Sequence, residues 1–199
     1  CTGLESIDIP DEVTYIGEQA FAGCSNITKL VIPEKVETID NYAFAACTSI
    51  TEVIVPENVK SIGNSVFTGC SSLKKAVIAP KTVEIGEAVF RDTPLEEITL
   101  PFAGNLQRML YGDRSDLTAV DLKRVTITGG TSIPDSSFSL FVTLTEVNLP
   151  DTITSIDRFA FYGCTGLTSI DLKNVQTICE SAFSGCIGLT SIDLNNVQT

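Results

Sequence analysis

A unit of 23 residues returns along this chain with its apolar positions intact, and that periodicity constrains the fold more than any local propensity. The opening stretch holds Cys1, Leu4, Ile7, Ile9 and Pro10. It comes back as Cys24, Ile27, Leu30, Ile32 and Pro33, then as Cys47, Ile50, Val53, Val55 and Pro56. Cys70, Leu73, Ala76 and Ile78 keep the step, with the proline displaced to Pro80. The second half of the unit is equally regular. Val13, Ile16, Gly17, Ala20 and Phe21 match Val36, Ile39, Asp40, Ala43 and Phe44, then Val59, Ile62, Gly63, Val66 and Phe67, then Ile85, Gly86, Val89 and Phe90. The pattern resumes at Leu144, Val147, Leu149, Pro150, Ile153, Ile156, Ala160 and Phe161. A 22-residue copy runs from Cys164 to Gly185, and a last copy opens at Cys186 and stops at Thr199. One solenoid over 1–199 is expected, with regular repeats in 1–92, an irregular centre in 93–140 and regular repeats in 141–199. Because the chain starts inside a repeat, it is read as a piece of something longer.

The spacing L-x-x-I-x-I puts the last two apolar residues on one face of a short strand. The proline after it has no N–H to donate and ends the ladder. The following Ile-Gly-x-x-Ala-Phe stretch is too short for an independent helix and predicts a single helical or 3-10 turn on the outer side. One unit cannot bury its own apolar side chains. Stacked units can, with strands about 4.8 Å apart in a parallel sheet. Stacking would align Phe21, Phe44, Phe67, Phe90, Phe138, Phe161 and Phe183 as a spine.

The unit L-x-x-I-x-I-P followed by V-x-x-I-G-x-x-A-F-x-G-C resembles the BspA-type (Treponema pallidum-like) leucine-rich repeats of bacterial and some protozoan surface proteins. The resemblance covers nearly the whole chain. It implies a right-handed leucine-rich-repeat solenoid of the α/β repeat class. In such a solenoid a parallel β-sheet lines the concave face and short helical or 3-10 turns form the outer face. It also implies an extracellular or cell-surface location and adhesion to host proteins or proteins of neighbouring cells. It brings no catalytic residues, cofactor or metal.

Composition narrows the function classes further. Lysine and arginine number 13 against 25 aspartates and glutamates, a net charge of −12. A nucleic-acid binder needs a basic face, so this balance argues against nucleic acid and against anionic membranes. Histidine is absent, which removes the usual general base and the commonest metal ligand. No apolar run approaches the ~20 residues of a membrane-spanning helix, so direct membrane insertion is not expected.

Residues between the apolar strand positions should point away from the core and form two ladders. The first reads Ser6, Lys29, Glu52, Lys75, Glu97, Ala119, Glu146, Ser169 and Ser191, alternating in sign through its middle. Such a ladder serves the sheet itself, at about 0.2–1 kcal/mol per pair. The second reads Asp8, Val31, Ile54, Val77, Thr99, Asp121, Asn148, Asp171 and Asp193. Val31, Ile54 and Val77 make an apolar stripe on a surface that should be solvated, rimmed by Lys29, Glu52 and Lys75. These six residues are the candidate protein-binding face; β-propensity alone is the competing explanation. The acidic end of the second ladder lacks the clustered loop ligands of a calcium site.

The irregular centre offers a second candidate. The segment 102–116 carries Arg108, Tyr111 and Arg114, and an inserted loop on a rigid scaffold is a common place for binding residues. The alternative is a divergent repeat in which Leu106, Leu110 and Tyr111 fill the core at helix-like spacing. The repeat frame is expected to return at Leu117, Val120 and Leu122. Of the seven cysteines, six share one repeat position that Thr93 and Phe141 fill in other copies, so buried, reduced packing is expected. Cys179 stands alone at a turn, with no base to activate it. A non-catalytic interaction or adhesion module is therefore the leading reading. Alternatives are a structural spacer, or a carbohydrate- or matrix-binding region using Tyr15, Tyr42, Tyr111 and Tyr162.

Overall fold

A computed structural model describes residues 3–82, 84–102, 104–113 and 121–194. The chain forms two compact units: Cys1–Leu95 with Arg108–Asp113, and Glu96–Gln107 with Arg114–Thr199. Each is a parallel β-solenoid built from stacked coils.

The first unit contains β1 (Tyr15–Ile16), β2 (Thr38–Ile39), β3 (Glu52–Val55), β4 (Ser61–Ile62), β5 (Lys75–Ile78) and β6 (Glu84–Ile85). The two-residue strands form one parallel ladder in the order β1-β2-β4-β6, one strand per coil. The four-residue strands β3 and β5 pair on a separate ladder, Glu52 opposite Lys75 through Val55 opposite Ile78. Their burial alternates as the period of two requires: Val53 and Val55 are sealed in the core while Glu52 and Ile54 face out. A six-residue helix, α1 (Leu106–Tyr111), is the one helix among the described residues.

The outer arc differs from the expected helical or 3-10 turn. It is a run of turns in which alternate amides leave the coil and bond to the next one. Gln19, Phe21 and Gly23 donate to the carbonyls of Asn41, Ala43 and Ala45. Tyr42, Phe44 and Ala46 donate to Asn64, Val66 and Thr68, and Ser65, Phe67 and Gly69 to Glu87, Val89 and Arg91. The intervening amides close local turns, as Ala20 does on Gly17 and Ala22 on Gln19. A helix would keep all these donors within its own coil, whereas the solenoid gains an intercoil ladder by giving them away. The geometry requires a left-handed residue at two places per coil, four residues apart. Gln19 and Gly23, Tyr42 and Ala46, Ser65 and Gly69 all have φ near +55° to +71°. Only in the fourth coil does a helix intervene: Ala88, Val89 and Phe90 donate to Arg108, Met109 and Leu110 of α1.

Between the ladders lies an apolar core. Phe21, Phe44, Phe67 and Phe90 stack with centroids 5.4, 5.6 and 5.5 Å apart and planes within 10° of parallel. Cys24, Cys47 and Cys70 are buried and unoxidised. Their thiols tie coils together: Cys47 Sγ donates to the Phe21 carbonyl at 3.2 Å and Cys70 Sγ to that of Phe44 at 3.3 Å.

The second unit contains β7 (Glu97–Leu100), β8 (Arg124–Ile127), β9 (Ser132–Ile133), β10 (Glu146–Asn148), β11 (Ser155–Ile156), β12 (Ser169–Ile170) and β13 (Thr177–Ile178). Strands β7, β8, β10 and β12 make one parallel ladder and β9, β11 and β13 another. Its outer arc repeats the same device, Ser136, Phe138 and Leu140 donating to Arg158, Ala160 and Tyr162. Phe138, Phe161 and Phe183 stack at 4.8 and 5.1 Å, so the aromatic spine is realised as a stack within each unit.

Here the sequence frame needs correcting. The strand partner of Glu97 is Arg124, not Ala119, and the partner of Thr99 is Thr126, not Asp121. Residues 117–127 spell the L-x-x-I-x-I pattern twice, once through Leu117, Val120 and Leu122 and once through Leu122, Val125 and Ile127. Pairing selects the second, which buries Val125 and Ile127 beside Ile98 and Leu100. Residues 114–120 lie outside the described part.

Candidate interaction surface

The expected apolar stripe is largely realised in the first unit. Val31 is 56% and Ile54 59% exposed, although their immediate neighbours Leu30, Ile32, Val53 and Val55 are buried. Val77 is only half-buried. On the rim, Lys75 Nζ lies 3.0 Å from the Glu52 carboxylate. Both groups are well exposed, so the pair contributes little to stability.

Lys29 departs from the alternating ladder, because among the described residues it has no ion-pair partner. The reason is a gap in the sheet. Segment 29–32 meets the preceding coil through a single bridge, Ser6 to Lys29, and makes no ladder with β3. Between 28–34 and 51–56 a groove of about 410 Å³ opens, lined by Lys29, Val31, Ile32, Glu52, Ile54 and Pro56 among others. The same two coils stay joined elsewhere: Thr38 pairs with Ser61, and Tyr42, Phe44 and Ala46 bond to the third coil. The opening is therefore a wedge, closed at its back. Sequence periodicity could locate the side chains, but nothing in it signals an unzipped ladder.

The candidate residues of the irregular centre are not brought together. Tyr111 is 1% exposed, and Leu106 and Leu110 are buried as well, the arrangement of a divergent repeat. Burial removes its side chain from any surface role, for α1 turns that apolar face inward. Arg108 is exposed and pairs with Glu87 at 2.8 Å, which holds its guanidinium pKa above the ordinary value. Arg114 lies outside the described residues.

In the second unit Arg124 bridges Glu97 and Glu146, restoring the alternation of charge that Ala119 would have interrupted. The Glu146 carboxyl is held below its usual pKa, first by a hydrogen bond from Asn148 and then by Arg124. Asp171 accepts from the Lys173 amide and lies near its ammonium. No three histidine, cysteine or acidic groups converge on a metal-sized site among the described residues.

The thiols are chemically quiet where they are buried. Burial pushes the Cys47 thiol up to about 11 and those of Cys70 and Cys164 up to about 12. The thiolate, which is the nucleophile, is thus suppressed at neutral pH. Cys179 is half-buried beside Glu180 and the Arg158 that pairs with it. An exposed aromatic pair, Phe159 edge-on to Tyr162 at 5.9 Å, lies next to exposed Leu140. Among the described residues, no helix is long and apolar enough to cross a membrane.

Coils closed by two parallel ladders over a leucine, isoleucine and phenylalanine core define a leucine-rich-repeat protein. The chain belongs to the BspA type leucine-rich repeat family, whose model matches residues 1–118 and 113–199 in six copies. Its fold is similar to that of the Treponema pallidum leucine-rich repeat protein, with TM-score 0.53 and 22% identity over 96% of this chain and 67% of that one. It is also similar to a leucine-rich repeat protein of Eubacterium ventriosum, with TM-score 0.50 and 24% identity over 93% of this chain. The chain spans 43% of the length of that Eubacterium protein. No curated protein matches the sequence.

Proposed function

We propose that this chain is a non-catalytic protein-interaction or adhesion module of a secreted or cell-surface protein, with Lys29, Val31, Glu52, Ile54, Lys75 and Val77 as its binding face. The observation that carries the reading is the exposure of Val31 and Ile54 side by side at the groove. Two large apolar side chains there are left more than half uncovered, while their chain neighbours Leu30, Ile32, Val53 and Val55 are buried. Membership of a repeat family typical of surface and interaction proteins supports it. The partner is a protein of the host or of a neighbouring cell.

The test is capture of extracellular proteins on the immobilised chain, repeated with Ile54→Asp. That side chain is exposed, so the substitution leaves the core untouched, and loss of capture is the expected result. Unchanged capture would remove the stripe from the function. A second reading, carbohydrate or matrix binding, draws on the exposed Phe159 and Tyr162 pair, since aromatic faces stack on sugars. A glycan-array signal lost on Tyr162→Ala, with no protein captured, would favour it.

A further inference from the structure

The groove has backbone walls as well as side chains, and those walls carry unused hydrogen-bonding capacity. Successive residues of a strand direct their N–H and C=O groups to opposite neighbours. The carbonyls of Thr51, just before β3, and of Val55 accept from Lys75 and Ala79, so residues 51, 53 and 55 face β5. The backbone groups of Glu52 and Ile54 therefore face the other way, toward segment 28–32. No ladder forms there, and β3 ends its sheet. An unpaired edge is a template for another strand. Most edges in a solenoid are covered by the next coil. This one lies inside the stack, held open while the backs of both coils remain joined.

We infer that the wedge between 28–32 and β3 is a strand-addition site, which takes an extended peptide segment of the partner by main-chain pairing to Glu52 and Ile54. The inference rests on the interaction reading above and states how that face would bind. The edge on offer is β3, four residues or about 13 Å of strand at about 3.3 Å each, beside a groove of about 410 Å³. The lining defines the occupant's chemistry. Val31 and Ile54 flank the opening with apolar surface, and Lys29 offers an ammonium with no ionic partner among the described residues. Glu52 is already neutralised by Lys75. The occupant is thus an extended segment that carries, on the one face meeting Val31 and Ile54, apolar side chains two residues apart and a carboxylate in reach of Lys29. In strand addition the main chain supplies affinity and alternate side chains supply specificity.

Two measurements on the whole chain decide it. In the free protein, amide hydrogen exchange at Glu52 and Ile54 should run at least about tenfold faster than at Val53 and Val55, whose amides point into β5. Equal protection would mean that the wedge is zipped in solution and would overturn the inference. The second measurement uses a tagged, end-blocked peptide Glu-Thr-Val-Thr-Val, whose glutamate and valines share one face of the strand. It should bind and slow exchange at Glu52 and Ile54, and N-methylation of one alternate set of its amides should abolish binding while the other set is tolerated. Equal tolerance of both sets, or no binding up to about 1 mM, overturns strand addition. If protein capture is still lost on Ile54→Asp in that case, the side-chain stripe survives as the interaction face. Replacing the peptide's glutamate with lysine should weaken binding to the native chain and restore it to Lys29→Glu. Indifference to that charge swap overturns the assigned occupant.

Discussion

Removing Phe44 tests the physical basis of the stack directly. Its ring is fully buried and sits between Phe21 at 5.4 Å and Phe67 at 5.6 Å, nearly parallel to both. Truncating a buried phenylalanine to alanine costs about 3–5 kcal/mol, from lost transfer energy and the cavity left behind. Each ring-on-ring contact is worth about 0.5–1.5 kcal/mol beyond burial. Phe44 loses two such contacts, so Phe44→Ala should fall near the upper limit, at about 4–5 kcal/mol. Phe21 supplies the internal control, being half-buried with one stacked neighbour among the described residues. Its truncation should cost about 2 kcal/mol, from roughly half the burial and one contact. The assay is urea unfolding followed by far-ultraviolet circular dichroism, comparing midpoints at a common slope. Phe44→Leu, which keeps most of the volume, should recover more than half of the loss. If Phe44→Ala and Phe21→Ala cost the same within about 0.5 kcal/mol, the aromatic column is not a cooperative spine, and the argument from stacking fails.

Other expectations follow from the arc, the thiols and the charge ladder. At Gly69, φ +70°, an added Cβ meets nothing closer than 3.8 Å, so Gly69→Ala should cost about 1 kcal/mol through conformation alone. Ala46 occupies the same slot at φ +55°, so Ala46→Gly should be neutral or stabilising by up to about 1 kcal/mol; destabilisation by both in chemical denaturation would refute the left-handed requirement. Among the described cysteines, a water-soluble thiol reagent at pH 8 should modify Cys179 first and spare Cys24, Cys47, Cys70, Cys164 and Cys186 until urea unfolds the chain, as mass mapping would show. Burial raises the folded thiols of Cys70 and Cys164 from 9.0 to about 12, so unfolding is increasingly favoured once unfolded thiols ionise. The stability they hold is fully present below about pH 8.5 and drains as pH rises toward 12, which thermal melts across that range would register. Arg124→Glu places three acids in line at Glu97, 124 and Glu146 and should lower the melting temperature at low salt. Added salt should relieve much of that loss, and a salt-independent effect would point away from charge.

The repeat period alone determined the coil, the parallel pairing, the inward leucines and isoleucines, the phenylalanine column and the buried cysteines. A hydrophobic slot recurring every 23 residues has one economical solution, namely stacking equivalent positions over one another. It also marked Val31 and Ile54 as apolar residues facing outward, because alternation along a strand is a local rule. Three features were decided only by the tertiary structure. The outer arc shares its amides with the next coil, and a single coil's sequence carries no information about a donor whose acceptor lies 22 residues on, as Asn41 does for Gln19. Register in the centre was ambiguous because Leu122 serves two overlapping apolar patterns; what chose Arg124 was burial of Val125 and Ile127 beside β7 together with ion pairing to Glu97 and Glu146. The open wedge at Lys29 was the third, since strand pairing depends on how two coils meet along their whole length. Side-chain facing is set within a strand of a few residues, whereas the closing of an edge is settled between coils.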